Sequence, residues 1–383
     1  MIYFDNSATT KPYKEVLDTF LKVNEDYFAN PSSIHALGGK VETLIGKSRK
    51  QVANLLNIKE TEVFFTSGGT ESNNLALKGT ALQYRKRGRH IITTMIEHPS
   101  ITETCEQLKE LGFDITYLPV DSQGKVQVEE VLNALRDDTI LVSIMHVNNE
   151  VGSIQPVAEI GNALKAYPKV IFHVDHIQGI GKVPLSFHEA GIDLCSISGH
   201  KIHGLKGTGM LYIKEGLEIS PLLSGGEQER KIRSGTENTG GIVSFAKALR
   251  LHFEKGRKEL DRIQKLNTYL RNKLSKLEGI TIHSPEAGSA PHIVNFSVSD
   301  IRGEIFVHAL EDFNIYVSTT SACSSKKNVP SRTLQGMGIN ETLLNTSVRV
   351  SFSFENTENE VDAFCSAVED VKKNLEETTR RRR

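Results

Sequence analysis

The sequence predicts an α/β fold in which a large domain, built on a mainly parallel seven-stranded sheet between helices, precedes a smaller α+β domain. Three observations predict it. Seven short runs, "EVFFTS", "HIITTMI", "DITYLPV", "TILVSIMHV", "KVIFHVD", "DLCSIS" and "GMLYI", are rich in Val, Ile, Phe and Thr and read as strands. Helix-like segments such as "TESNNLALKGTALQYRKRG", "SITETCEQLKELG" and "VAEIGNALKAYP" lie between them, each ending on Gly or Pro. A long charged segment, about 244 to 277, then ends the alternation.

Strand and helix in repeated alternation argue for parallel strands, because each parallel pair needs a crossover connection. Right-handed crossovers bring the strand C-termini to one edge, where ligands of such sheets usually bind. The long helix leads into the second domain. There "APHIVNFSV", "IYVST" and "SVRVSFSF" read as strands, and "GEIFVHALEDF" and "ENEVDAFCSAVEDVKKNL" as helices.

Composition narrows the function. Acidic and basic residues nearly balance, 47 against 46, so no basic face for nucleic acid is expected, and the final "RRRR" reads as a solvated tail. No apolar run approaches the roughly 18 residues of a membrane span, and the start, "MIYFDNSATT", lacks the pattern of a signal peptide. The four cysteines are scattered without a C-x-x-C pair, which fits free thiols in a cytoplasmic protein. Cys105, Cys195 and Cys365 sit in helix-like or strand-like sequence and read as structural. Cys323, in "TTSACSSKKNVPSR", stands in loop-like sequence, either as an idle thiol or as a nucleophile.

Three motifs carry chemistry. In "FFTSGGTESNN" a strand runs into two glycines, and Thr70 and Glu71 open a helix. Such a turn either cradles a phosphate on Gly69, Thr70 and the helix N-terminus or is an ordinary turn with a Thr cap. In "FHVDHIQG", Asp175 follows directly on an apolar strand. A carboxylate there is costly without a partner. It either pairs with a cationic ring nitrogen, as pyridoxal 5′-phosphate (PLP) requires, or caps the next helix. In "SISGHKIHGLKGTGMLYI", Lys201 follows a strand beside Ser198 and His200, in a setting that suits an imine-forming lysine. Lys206 lies among turn glycines and is the weaker candidate. His200-x-x-His203 has no acidic third ligand in pattern, so no metal is expected.

In the order phosphate loop, "IEHPS", "MHVNNE", Asp175, Lys201, these motifs make the chain resemble the NifS/IscS-like cysteine desulfurases of the class V aminotransferase family, which have the fold-type I PLP architecture. "NPSSIH", "TSGGTESNN", "SIMHVNNE", "SGTEN" and "SACSS" stand almost as in that family, and the resemblance runs from "FDNSATT" to "SVRVSF". It implies a large PLP-binding domain over 15–257. A small domain would comprise 1–14 and 258–383 and carry a mobile cysteine loop at about 319–333.

The resemblance also implies roles. Lys201 would hold PLP as an imine and later shuttle the substrate Cα proton. Asp175 would pair with the pyridinium nitrogen, Gln178 with the phenolic oxygen, and His98 would stack on the ring and donate or accept a proton. Gly69, Thr70, Ser198 and His200 would hold the phosphate. Thr236 would reach the phosphate of the neighbouring subunit in a homodimer. Asn149 and Arg349, with Asn30, would hold the substrate carboxylate, a task suited to the planar arginine fork. Two departures stand out: His176 replaces the small residue usual after the aspartate, and Thr319 and Thr320 replace a common Ser-Gly pair.

The implied reaction converts L-cysteine to L-alanine and leaves the sulfur as a persulfide on Cys323. Lys326 and Lys327 are candidates for lowering the thiol pKa. The acceptor would be a protein of iron–sulfur cluster assembly or of tRNA thiolation. A selenocysteine lyase or aminotransferase on the same scaffold, and a non-catalytic sulfur-relay protein, are the rival readings.

Overall fold

The computed structural model describes residues 1–319 and 330–382. Cys323, Thr320, Lys326 and Lys327 lie outside the described residues.

The chain opens with strand β1 (Ile2–Tyr3) and helices α1 (Lys14–Asp26) and α2 (Ala36–Leu56). There follow β2 (Val63–Thr66), α3 (Gly69–Tyr84), β3 (His90–Thr94), α4 (Pro99–Glu110), β4 (Asp114–Leu118) and α5 (Val128–Asn133). The large unit continues with β5 (Thr139–Met145), α6 (Val157–Leu164), β6 (Ile171–Asp175), β7 (Leu194–Ser198) and β8 (Gly209–Ile213). Helix α7 (Thr239–Leu274) leads to β9 (Ile280–Ile282), β10 (Ile293–Val298), α8 (Gly303–Glu311) and β11 (Ile315–Tyr316). After the undescribed segment come α9 (Arg332–Gly336), α10 (Glu341–Leu344), β12 (Ser347–Ser351) and α11 (Glu358–Arg382).

The seven expected strands form one sheet in the order β2-β8-β7-β6-β5-β3-β4, in which β8 alone runs antiparallel to its neighbours. β5, β6 and β7 are buried along their whole length, as strands covered by helices on both faces must be. One core covers one face through Val142, Ile144, Val174 and Ile197, and another covers the opposite face through Ile91, Leu141 and Leu194.

A further core gathers around the sheet β12-β10-β9. Helix α7 spans the two units: Phe245 and Leu249 pack in the large core, whereas Ile263, Leu266 and Leu270 pack in the smaller one. Phe4 joins the smaller core edge-on to Phe352 at 5.2 Å, which brings the N-terminal segment to the junction. Burying each such side chain is worth about 1.5–3 kcal/mol.

Helices α1 and α2 and the short elements β9, α5, α9 and α10 go beyond what the sequence patterns announce. Helix α7 starts five residues earlier than expected, at Thr239 rather than 244. Its N-cap Asn238 accepts from the N–H of Gly241 at 3.0 Å. The glycines that disguise this start are steric: a Cβ on Gly240 would lie 2.1 Å from Asn24 of α1. Among the described residues no helix is long and apolar enough to cross a membrane.

Candidate active site

Several candidate side chains follow the C-terminal end of a strand of the large sheet. Thr70 follows β2, His98 follows β3, Asn149 follows β5, Asp175 ends β6, and Ser198 ends β7 with Lys201 three residues on. Because these strands point the same way, the topology alone collects the residues at one edge. They line a cleft of about 430 Å³.

Lys201 reaches the cleft from a single 3-10 turn, Gly199–Lys201. Its ammonium donates to the carbonyl of Ala8 at 2.8 Å and to that of Ser7. Among the described residues no carboxylate bonds it, and burial, with Arg349 and Lys182 adding repulsion, pulls its pKa down to about 7. A substantial share of the amine is therefore neutral near pH 7, where an exposed lysine would be protonated. Lys206 also lines the cleft but is exposed.

Asp175 is buried, and its Oδ1 accepts from the N–H of Ile177 at 3.0 Å, while Oδ2 accepts from Asn73 Nδ2 at 2.8 Å. Burial nonetheless raises its pKa, so a cationic partner at the cleft would favour the carboxylate. Among the described residues no helix lies between β6 and β7, so Asp175 does not cap one; its bond to the Ile177 N–H closes a turn and leaves lone pairs on both oxygens. His98 is the N-cap of α4, ahead of Pro99, and its Nδ1 lies 2.8 Å from Ser100 Oγ. Burial, assisted by the charge of Lys201, lowers its pKa to about 4.

The glycine turn after β2 settles which residue caps α3. Gly68, at φ 146, is the N-cap, and no side chain caps the helix; Thr70 sits inside the first turn. A residue with a Cβ would be strained at that φ. The helix N-terminus is thus left open toward the cleft, beside Gly69, Thr70, Ser198 and His200. Among the described residues, buried polar atoms here without a partner include Ser7 Oγ, Ser198 Oγ and Gln178 Oε1, although Gln178 Nε2 donates to the Ser7 carbonyl at 3.0 Å. Orphaned polar atoms, an uncapped helix start, a desolvated amine and a buried carboxylate together fit a phosphate-bearing, cationic-ring aldehyde such as PLP.

The corner around Arg349 is built from both units. Arg349 on β12 is buried, donates to the main-chain carbonyl of Asn149 at 2.9 Å and pairs with Asp5 at 2.8 Å. The next residue, Glu150, accepts from Ser331 Oγ, and Asn148 Nδ2 donates to Thr333 Oγ1 at 3.2 Å. Ser331 caps α9, so the loop after β5 fastens the chain just beyond the undescribed segment. Just before that segment, Ser318 pairs with Arg349 through backbone bonds of 3.3 and 2.7 Å. Sequence reasoning gave no role to Ser7, Asn73, Ser100 or Glu150. The one available signal was Asn73, three residues after Thr70 and hence on the same helix face.

Asn30 and Thr236 are exposed and do not line the cleft; Asn30 Oδ1 accepts from the N–H of Ser32 at 2.9 Å. His176 turns away from the cleft, and its Nδ1 lies 2.8 Å from His146 Nδ1. His203 stacks on Tyr13 at 4.3 Å and does not join His200.

Comparison with known proteins agrees with this geometry. The family model described as aminotransferase class-V matches residues 2–364. The chain is 47% identical over 373 residues to a "NifS/IcsS protein homolog" of Lactobacillus delbrueckii subsp. bulgaricus, covering 97% of each chain. It is 42% identical to "Cysteine desulfurase IscS" of Methanosarcina thermophila, covering 98% of this chain and 92% of that one. A solved structure named "NIFS-LIKE PROTEIN" superposes with a TM-score of 0.91 at 38% identity, covering 98% and 99% of the two chains. The fold, the strand-end placement of Lys201 and Asp175, and these matches lead to one conclusion: the chain belongs to the class V aminotransferase family.

Proposed function

We propose that this protein is a PLP-dependent cysteine desulfurase that converts L-cysteine to L-alanine and carries the released sulfur as a persulfide on Cys323. The observation that carries this reading is the pairing of a desolvated Lys201 amine with a buried Asp175 carboxylate at adjacent strand ends. Lys201, Asp175, Gln178, His98, Gly69, Thr70, Ser198 and His200 would hold the cofactor. When bound, PLP supplies an electron sink for the substrate carbon that loses its proton.

The chain's own residues supply the rest. Arg349 and Asn149 orient the substrate carboxylate, and the neutral Lys201 amine can take up the Cα proton. The Cys323 thiolate attacks the substrate sulfur: an S–S bond forms and the C–S bond breaks. Its electron pair goes to the carbon fragment, which is protonated to alanine.

A homodimer is part of the proposal. Asn30 lies in a stretch that exposes Phe28, Ile34 and Leu37, apolar surface that a second copy would cover, and Thr236 is free to reach across. The sulfur acceptor would be an iron–sulfur scaffold or a tRNA thiolation protein in the cytoplasm. Two cores joined by α7 support a division into 15–257 and 1–14 with 258–383. The test is alanine release from L-cysteine in the presence of a thiol reductant. The wild type should release alanine catalytically and Lys201→Ala should not; turnover by Lys201→Ala would refute the assignment.

A further inference from the structure

His98 caps helix α4 with its own ring, and the backbone N–H of Ser100 donates to His98 Nδ1 at 3.1 Å. A backbone amide has one hydrogen with one direction, so Nδ1 is an acceptor and carries no proton. The neighbouring side chains agree. Asn73 Nδ2 lies 2.8 Å from Asp175 Oδ2 and 2.8 Å from Ser100 Oγ, so one of its hydrogens goes to each. The opposite amide orientation would press Asn73 Oδ1 against a carboxylate oxygen. Having accepted from Asn73, Ser100 Oγ keeps one hydrogen, and His98 Nδ1 at 2.8 Å takes it. Asn73, Ser100 and Asp175 are all buried, which strengthens these bonds.

We infer that the chain Asp175–Asn73–Ser100, with the Ser100 amide, fixes His98 as the Nε2–H tautomer, so that its ring offers the cleft a hydrogen-bond donor and not a base. Asn73 and Ser100 are then positioning residues, and removal of the substrate proton falls to Lys201. Because burial and the Lys201 charge hold the ring neutral down to a pH of about 4, the tautomer decides its chemistry at neutral pH. The catalytic consequence rests on the function proposed above; the tautomer does not.

The test is proton–nitrogen correlation spectroscopy of protein carrying nitrogen-15 histidine, with and without cofactor, at neutral pH. A proton on Nε2 and a bare Nδ1 are expected at His98; a proton on Nδ1, or a doubly protonated ring, overturns the inference. In a double-mutant cycle, Asn73→Ala and Ser100→Ala should each lower kcat about tenfold with KM for cysteine little changed, and the double variant should be no worse than the poorer single. Fully multiplicative losses would show that the two do not act through one relay. Failure of sulfur transfer with His98 still Nε2–H would refute the functional reading alone, and the converse result the tautomer alone.

Discussion

The Arg349 guanidinium on β12 donates to the main-chain carbonyl of Asn149, in the loop after β5, at 2.9 Å. One bond thus ties the smaller core to the edge of the large sheet, and it falls between two residues assigned to the same substrate group. Arg349 also pairs with Asp5, with only 2% of its own side chain exposed. Its position is therefore fixed before any substrate arrives.

Replacement of Arg349 should separate binding from folding. Arg349→Lys keeps a charge but loses the fork, and KM for cysteine should rise about tenfold or more. Arg349→Ala also strands Asp5 and should cost about 3–5 kcal/mol of stability. Steady-state kinetics and chemical denaturation read the two effects, and an unchanged KM in Arg349→Lys would remove Arg349 from the substrate site.

Lys201 sets the pH dependence of cofactor capture. Its folded pKa is lowered from 10.5 to about 7, so the neutral, nucleophilic amine predominates above about 7 and is lost below it. The rate at which apo-protein captures the PLP aldehyde should rise with pH and level off after a midpoint near 7. Rapid-mixing absorbance follows it, and a midpoint near 10.5 would contradict the burial argument.

Glu150 should matter to sulfur transfer more than to cofactor binding. Its carboxyl accepts from Ser331, and burial raises its pKa. Glu150→Ala frees the far anchor of the Cys323 segment and should slow single-turnover alanine formation about tenfold, with PLP retention unchanged. Glu150→Gln keeps an acceptor oxygen and should restore most of the rate. Equal losses in both variants would mean that the charge, and not the bond to Ser331, is what counts.

Acid should destabilise the fold through its buried histidines. Burial lowers the pKa of His173 to about 3 and that of His146 to about 4, from 6.5. Each binds its proton more readily unfolded, so the stability they contribute is complete above about 6.5 and drains away as pH falls toward 4. The urea midpoint should fall as pH drops from about 6.5 toward 4, and a midpoint flat across that range would count against buried neutral rings.

The sheet was legible in the sequence because parallel strands buried on both faces must be continuous apolar runs, and "TILVSIMHV" and "KVIFHVD" are such runs. Lys201 and Asp175 were legible because a charged residue directly after a buried strand demands a reason. What stayed hidden depends on contacts far apart in sequence. Asn73 and Ser100 meet only when α3 packs on α4, Ser7 meets Lys201 only when the N-terminus returns to the junction, and Glu150 meets Ser331 across 181 residues. Helix α7 starts earlier than expected because Gly240 and Gly241 look like loop, whereas Gly240 packs closely against α1 and Gly241 against the N-cap Asn238.

The central claim is that Cys323 accepts sulfur from substrate held over Lys201. Its most direct test is mass spectrometry of the Cys323 peptide after one equivalent of L-cysteine is added to PLP-loaded protein without reductant. The account predicts a gain of one sulfur atom on Cys323, together with one alanine released, and neither in Lys201→Ala. Alanine release with Cys323 unmodified, or undiminished sulfur transfer by Cys323→Ser, would contradict it.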